Sequence, residues 1–140
     1  MVVIIDYGMG NLNSILNMFK KIRVQAIISL DLAVIGDAEK LVLPGVGAFG
    51  SGMRKLREIG VIPTLEEKVL RHKTPILGIC LGMQLFTKTS EEGGVPGLGW
   101  IDAKTEKFEW ENENEKFCGV QGHLRVRYLV LYKSTMVAGA

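Results

Sequence analysis

The chain has 140 residues, 47% of them hydrophobic, and seventeen Lys and Arg against fifteen Asp and Glu give a net charge of +2. That is enough apolar material for a single domain spanning 1–140 with a core of its own, and the mixed charge argues against a nucleic-acid or anionic-membrane surface. No apolar run is long enough to span a bilayer, and two distant cysteines, Cys80 and Cys118, rule out a disulfide scaffold. A soluble, cytoplasmic protein with no metal or cofactor is therefore expected.

The amino terminus, Met-Val-Val-Ile-Ile-Asp, has no basic leader and reads as a first strand over Val2–Ile5, followed by a glycine turn at Tyr7–Asn11. Leu12, Ile15, Leu16 and Phe19 share one face of a helix predicted over Leu12–Lys20. Val24–Ser29 and Leu41–Leu43 read as strands. After a glycine-rich loop, Met53–Ile59 and Thr64–His72 read as helices, with Pro63 suited to a helix start. The strand Pro75–Ile79 then leads into a helix over Leu81–Thr87. Beyond it, Trp100–Phe108 and Phe117–Leu131 read as further strands, separated by an acidic stretch that is simplest as a solvated turn. Strands alternating with helices imply βαβ units with right-handed crossovers and a parallel sheet. Ligands of such sheets sit beyond the carboxyl ends of the strands, where Tyr7–Asn11, Pro44–Gly47 and Cys80 all fall.

Cys80 stands at a strand-to-helix elbow, Gly78-Ile79-Cys80-Leu81-Gly82. Such a turn strains its central residue and leaves its neighbours no room for side chains. It exposes the thiol beside helix-terminal N–H groups, which favour thiolate over thiol. The alternative is a buried cysteine behaving as a small hydrophobe, but paired glycines between a strand and a helix favour a nucleophile.

Two segments approach the dinucleotide fingerprint. Gly8-Met9-Gly10 opens a helix after the first strand, with Asp31 at the end of the next strand, but Asn13 occupies the third glycine position. Gly45-Val46-Gly47-Ala48-Phe49-Gly50 matches G-x-G-x-x-G literally, without a suitably spaced acid. Neither use accounts for Cys80. A different role for Pro44–Gly47 is an oxyanion loop: attack on an amide creates a tetrahedral oxyanion that needs preorganised N–H donors. The Leu81 amide and the Val46–Gly47 backbone are candidates. A tight βα turn that simply requires glycine is equally compatible with those residues.

Taken together, Ile5-Asp6-Tyr7-Gly8-Met9-Gly10-Asn11-Leu12, Leu43-Pro44-Gly45-Val46-Gly47-Ala48-Phe49 and Gly78-Ile79-Cys80-Leu81-Gly82-Met83-Gln84 resemble the class I, triad-type glutamine amidotransferases. The closest branch is the glutaminase subunits of imidazole glycerol phosphate synthases. The resemblance implies a flavodoxin-like α/β fold that hydrolyses glutamine to glutamate and ammonia. The ammonia would serve a partner synthase of (β/α)8 fold in histidine biosynthesis. It implies Cys80 as nucleophile, Gly47 and Leu81 at the oxyanion hole, and Gly45, Val46 and Gln84 around the substrate glutamine. Tyr7, Gly10 and Asn11 would lie at the partner interface. A related amidotransferase of surface-polysaccharide synthesis, a non-catalytic docking subunit and another cysteine-elbow hydrolase of similar fold are the alternatives.

The resemblance covers about residues 1–105. The family's general base comes from a His-Pro-x-Glu segment, and the only histidines here are His72, expected on a surface turn, and His123, which lacks the following Pro and Glu. The expectation is a chain truncated or altered after about residue 105, with an incomplete carboxyl-terminal part and little glutaminase turnover from these 140 residues alone.

Overall fold

The structure is a computed structural model that describes residues 1–106 and the backbone of 130–132. Four strands, β1 (Val2–Ile5), β2 (Ala26–Ser29), β3 (Lys40–Leu43) and β4 (Ile76–Gly78), form a parallel sheet in the order β2-β1-β3-β4. This is the doubly wound flavodoxin-like order, and the expected α/β architecture is borne out. One departure is β7 (Val130–Tyr132), which closes the far edge antiparallel to β4. The remainder of the strand expected at Phe117–Leu131 lies outside the described residues.

The crossovers place helices on both faces. Between β1 and β2, α1 (Leu12–Lys21) lays Leu12, Ile15, Leu16 and Phe19 on Val2, Ile4 and Val42. On the opposite face, Val3, Ile5, Leu41, Leu43 and Ile76 pack against α2 (Leu32–Gly36), α3 (Phe49–Glu58), α4 (Ile62–Glu66) and α5 (Leu81–Gln84). Every residue of β1 is buried, as a central strand covered on both sides requires, which explains its uninterrupted Val-Val-Ile-Ile run. Fully burying a Val, Leu or Ile side chain contributes about 1.5–3 kcal/mol, so this two-sided core is the main stabilising element. No helix among the described residues is long and apolar enough to cross a membrane.

Several boundaries differ from the sequence reading for identifiable reasons. The second strand begins at Ala26, since Val24 donates its amide to Phe19 O (3.0 Å) and belongs to the turn that leaves α1. Asp31 does not serve a ribose-binding strand end. Its carboxylate accepts from Ala33 N at 2.8 Å and caps α2, a helix the sequence reading did not include. Helix α3 starts four residues early, at Phe49, because Gly50 and Gly52 are helical. A Cβ on Gly52 would meet the Leu81 and Leu85 side chains at 3.2 Å, so this glycine brings α3 and α5 close together. The segment expected as one helix over Thr64–His72 is α4 followed by a π-helical turn, Glu67–Arg71, closed by His72 N to Glu67 O at 3.0 Å.

The helix after Cys80 is short. It ends at Gln84, and Thr87–Ser90 forms β5, paired in parallel with β6 (Ile101–Thr105) in a separate two-stranded sheet. Phe86 and Trp100 stack with ring centroids 5.2 Å apart and tie this small sheet to the core.

Candidate active site

β4 delivers the chain to Cys80 at the carboxyl edge of the sheet, and α5 begins immediately after it. Cys80 has φ 54° and ψ −117°, a conformation costing about 1–3 kcal/mol for a residue with a side chain. Its flanking glycines are explained by contact. A Cβ on Gly78 would lie 2.5 Å from Met83 Cα, and one on Gly82 would enter the Leu43 carbonyl oxygen. The elbow is therefore pressed directly onto the end of β3, and its thiol is exposed.

The other two turns meet there. Gly10 has φ 104°, and a Cβ on it would touch Pro44 Cβ at 3.2 Å and Gly45 N at 3.3 Å. Gly47 has φ 116° and lies under the Met9 side chain, its Cβ position 3.1 Å from Met9 Cε. Gly45 is buried between two walls. Its Cβ position is 2.5 Å from Tyr7 Oη and 2.9 Å from Gly82 N and Leu81 Cβ. The structure thus brings Tyr7–Asn11, Pro44–Gly47 and Cys80–Gly82 into one contiguous edge, at the switch point between β1 and β3.

The donors around the thiol are partly committed. Leu81 N donates to Gly45 O at 3.3 Å, and Gly82 N donates to Ile79 O at 3.0 Å. The amides expected to lie open beside Cys80 are thus directed at backbone carbonyls in this state. The amides of Val46 and Gly47 have no partner among the described residues, and Val46 is 58% exposed. Gln84 lies one helical turn beyond Cys80, its own amide donating to Cys80 O at 3.3 Å, and it is one of few buried polar residues among those described.

Tyr7, expected near the partner interface, is buried. It is 2% exposed, and its hydroxyl donates to Pro44 O at 2.6 Å. The exposed residues of the turn are Gly8 and Asn11, whose carboxamide oxygen caps α1 by accepting from Ser14 N at 3.2 Å. Burial, and secondarily the nearby Cys80 charge, pushes the Tyr7 hydroxyl above the ordinary tyrosine range. Because the folded state holds this proton more tightly than the unfolded state, the Tyr7 contribution to stability is constant below the unfolded value of about 10 and is lost as pH rises above it. A Tyr7→Phe variant should show a shallower loss of stability in denaturant titrations run above that pH.

His72 is not brought to the thiol. It is exposed, 3.5 Å from Glu67, and precedes β4, whereas Cys80 follows it, so the two lie at opposite ends of the strand. His123 lies outside the described residues. Lys55 is a residue that sequence reasoning missed. A Cβ on Gly8 would sit 3.3 Å from its Nζ, which places an ammonium against the Tyr7–Asn11 turn. Helical periodicity puts Lys55 near the solvated side of α3 and carries no signal of that contact.

Comparison with known proteins identifies the family and the fold. The profile of the family "Glutamine amidotransferase class-I" matches residues 3–93. The chain is 58% identical over 113 residues to imidazole glycerol phosphate synthase subunit HisH 2 of Methanococcus maripaludis, covering 81% of this chain and 56% of that protein. It is 47% identical over 115 residues to subunit HisH 2 of Pseudomonas aeruginosa (82% and 57%) and 50% identical over 110 residues to subunit HisH 1 of Campylobacter jejuni (78% and 55%). The chain spans about half the length of the curated relatives it matches. A solved structure titled "Crystal structure of glutamine amidotransferase" shares the fold, with a TM-score of 0.66 at 20% identity over 84% of this chain and 62% of that one.

Proposed function

Because the chain belongs to the class I glutamine amidotransferases, we propose that it carries the thiol-bearing, glutamine-binding part of a glutaminase that supplies ammonia to a cyclase subunit making imidazole glycerol phosphate in histidine biosynthesis. The observation that carries this reading is the strained, exposed Cys80 elbow packed against the Pro44–Gly47 loop. The relatives named as subunits of imidazole glycerol phosphate synthase support the choice of pathway. A partner of (β/α)8 fold and a cytoplasmic location complete the proposal.

The chemistry follows from the elbow. The Cys80 thiolate attacks the side-chain carboxamide carbon of glutamine. A C–S bond forms, and the carbonyl π pair moves onto oxygen. Collapse of that oxyanion expels ammonia once the nitrogen gains a proton, leaving a γ-glutamyl thioester that water cleaves to glutamate and free thiol. Leu81 N and Gly47 N are the donors for the oxyanion, and the Leu81 amide must exchange its 3.3 Å bond to Gly45 O for that oxygen. Gln84, with Gly45 and Val46, borders the position of the glutamine. Proton transfer to departing ammonia is worth about 10²–10⁴ in rate, and the group that performs it is to be sought outside residues 1–106, since His72 is at the wrong end of β4.

The test is mass spectrometry of the protein after exposure to a glutamine-analogue chloromethyl ketone, with and without excess glutamine. A single adduct on Cys80, suppressed by glutamine, is the expected result. Absence of glutamine protection would overturn the reading. Tight association with a cyclase subunit in that case would identify a non-catalytic docking subunit instead.

A further inference from the structure

Tyr7 is buried and joins two of the three turns at the site. Its hydroxyl reaches across from the end of β1 to the carbonyl of Pro44, thirty-seven residues away, with a short 2.6 Å bond inside the protein. The next carbonyl along the chain, that of Gly45, accepts the Leu81 amide at the longer distance of 3.3 Å. Gly45 itself is squeezed between the Tyr7 hydroxyl on one side and the first residues of α5 on the other.

We propose that Tyr7 is a positioning residue of the glutaminase site: its hydroxyl fixes the Pro44–Gly45 peptide, and thereby the alignment of the Pro44–Gly47 loop against the Leu81 amide. The inference rests on the glutaminase reading of Cys80. The two bonds are unequal. A short, buried O–H···O contact is the stronger constraint, and a 3.3 Å N–H···O contact is the weaker one. The strong bond therefore sets where the loop sits, and the weak one is free to be exchanged for a reacting oxygen. Donors contribute to an oxyanion only within about 2.7–3.1 Å of it, so loop drift of a few tenths of an ångström separates the Leu81 and Gly47 amides from their common target. The hydroxyl also keeps its proton at ordinary pH, since burial disfavours the phenolate. It remains a donor throughout the range in which the thiol reacts.

Tyr7→Phe removes the hydroxyl and keeps the ring in the core. Two reagents separate its roles. The glutamine-analogue chloromethyl ketone places a carbonyl oxygen where the carboxamide oxygen of glutamine would lie. Iodoacetamide alkylates the thiolate directly and does not fill the glutamine subsite. Tyr7→Phe should lower the limiting inactivation rate by the chloromethyl ketone about tenfold, a fraction of the loss seen when an oxyanion donor is deleted outright. The iodoacetamide rate should stay unchanged. An unchanged limiting rate would overturn the proposal. So would parallel slowing by both reagents with a lowered melting temperature, the signature of a purely structural tyrosine. If labelling of the unaltered protein is neither saturable nor glutamine-protected, the glutaminase reading fails first, and the proposal with it.

Discussion

Replacing Cys80 with alanine is expected to abolish adduct formation with the glutamine-analogue chloromethyl ketone. Any glutamine-dependent ammonia release in complex with a partner should fall by about 10⁴-fold or more, the scale on which deletion of a nucleophile acts. Replacing it with glycine should have the same chemical effect and a different structural one. At φ 54° and ψ −117° the residue occupies a region that a Cβ strains and glycine adopts freely. The glycine variant should therefore be more stable than the alanine variant by about 1 kcal/mol, after allowing for the greater backbone freedom of glycine in the unfolded chain. Denaturant midpoints of the two variants measure the difference directly. Equal midpoints would mean that the elbow relaxes once the sulfur is gone and that the strain belongs to the thiol contacts rather than to the backbone. A stable glycine variant would show that the fold tolerates strain at the one residue whose side chain the chemistry needs.

The second large effect is expected at Gly82. A Cβ there would run into the Leu43 carbonyl oxygen, and its next neighbours, Leu43 C at 2.7 Å and Pro44 C at 3.1 Å, are also backbone atoms at the end of β3. No side-chain rotation can relieve this. Gly82→Ala must push α5 off the sheet, and a loss of about 3 kcal/mol or more is expected, at the upper end of overpacking effects. Gly36→Ala is the control. Gly36 closes α2, and a Cβ there meets nothing within 4 Å, so the substitution should be neutral or stabilise by about 0.5–1 kcal/mol. In thermal melts Gly82→Ala should fall well below the parent, and Gly36→Ala should match or exceed it. A Gly82→Ala protein as stable as its parent would mean that α5 is not seated on β3.

The parts of the fold that could be read from the chain are those in which local pattern and tertiary role coincide. The Val-Val-Ile-Ile run of β1, the 3.6-residue apolar spacing of α1 and the glycine-flanked Cys80 each carry a local signature of what they become. Helix α2 was not legible because five residues hold too little periodicity, and Asp31, its cap, equally suits the acid at the end of a nucleotide-binding strand. Strand β5, Thr-Lys-Thr-Ser, has no apolar alternation. It is a strand because β6 lies beside it and the Thr87 hydroxyl is hydrogen-bonded to the Gln84 carbonyl (2.8 Å) and to the Thr105 hydroxyl (3.0 Å).

By itself the sequence determined the layered α/β architecture, the carboxyl edge on which the three glycine-bearing turns fall and the thiol at their centre. These follow from hydrophobic period, turn chemistry and the steric demands of glycine, all of which act over a few residues. Only the tertiary structure decided that Tyr7 faces inward onto Pro44, that the Leu81 amide is directed at Gly45 and that His72 stands at the far end of β4 from Cys80. Each of these depends on distances between segments far apart in the chain, and a hydrogen bond that changes character within half an ångström leaves no trace in local composition.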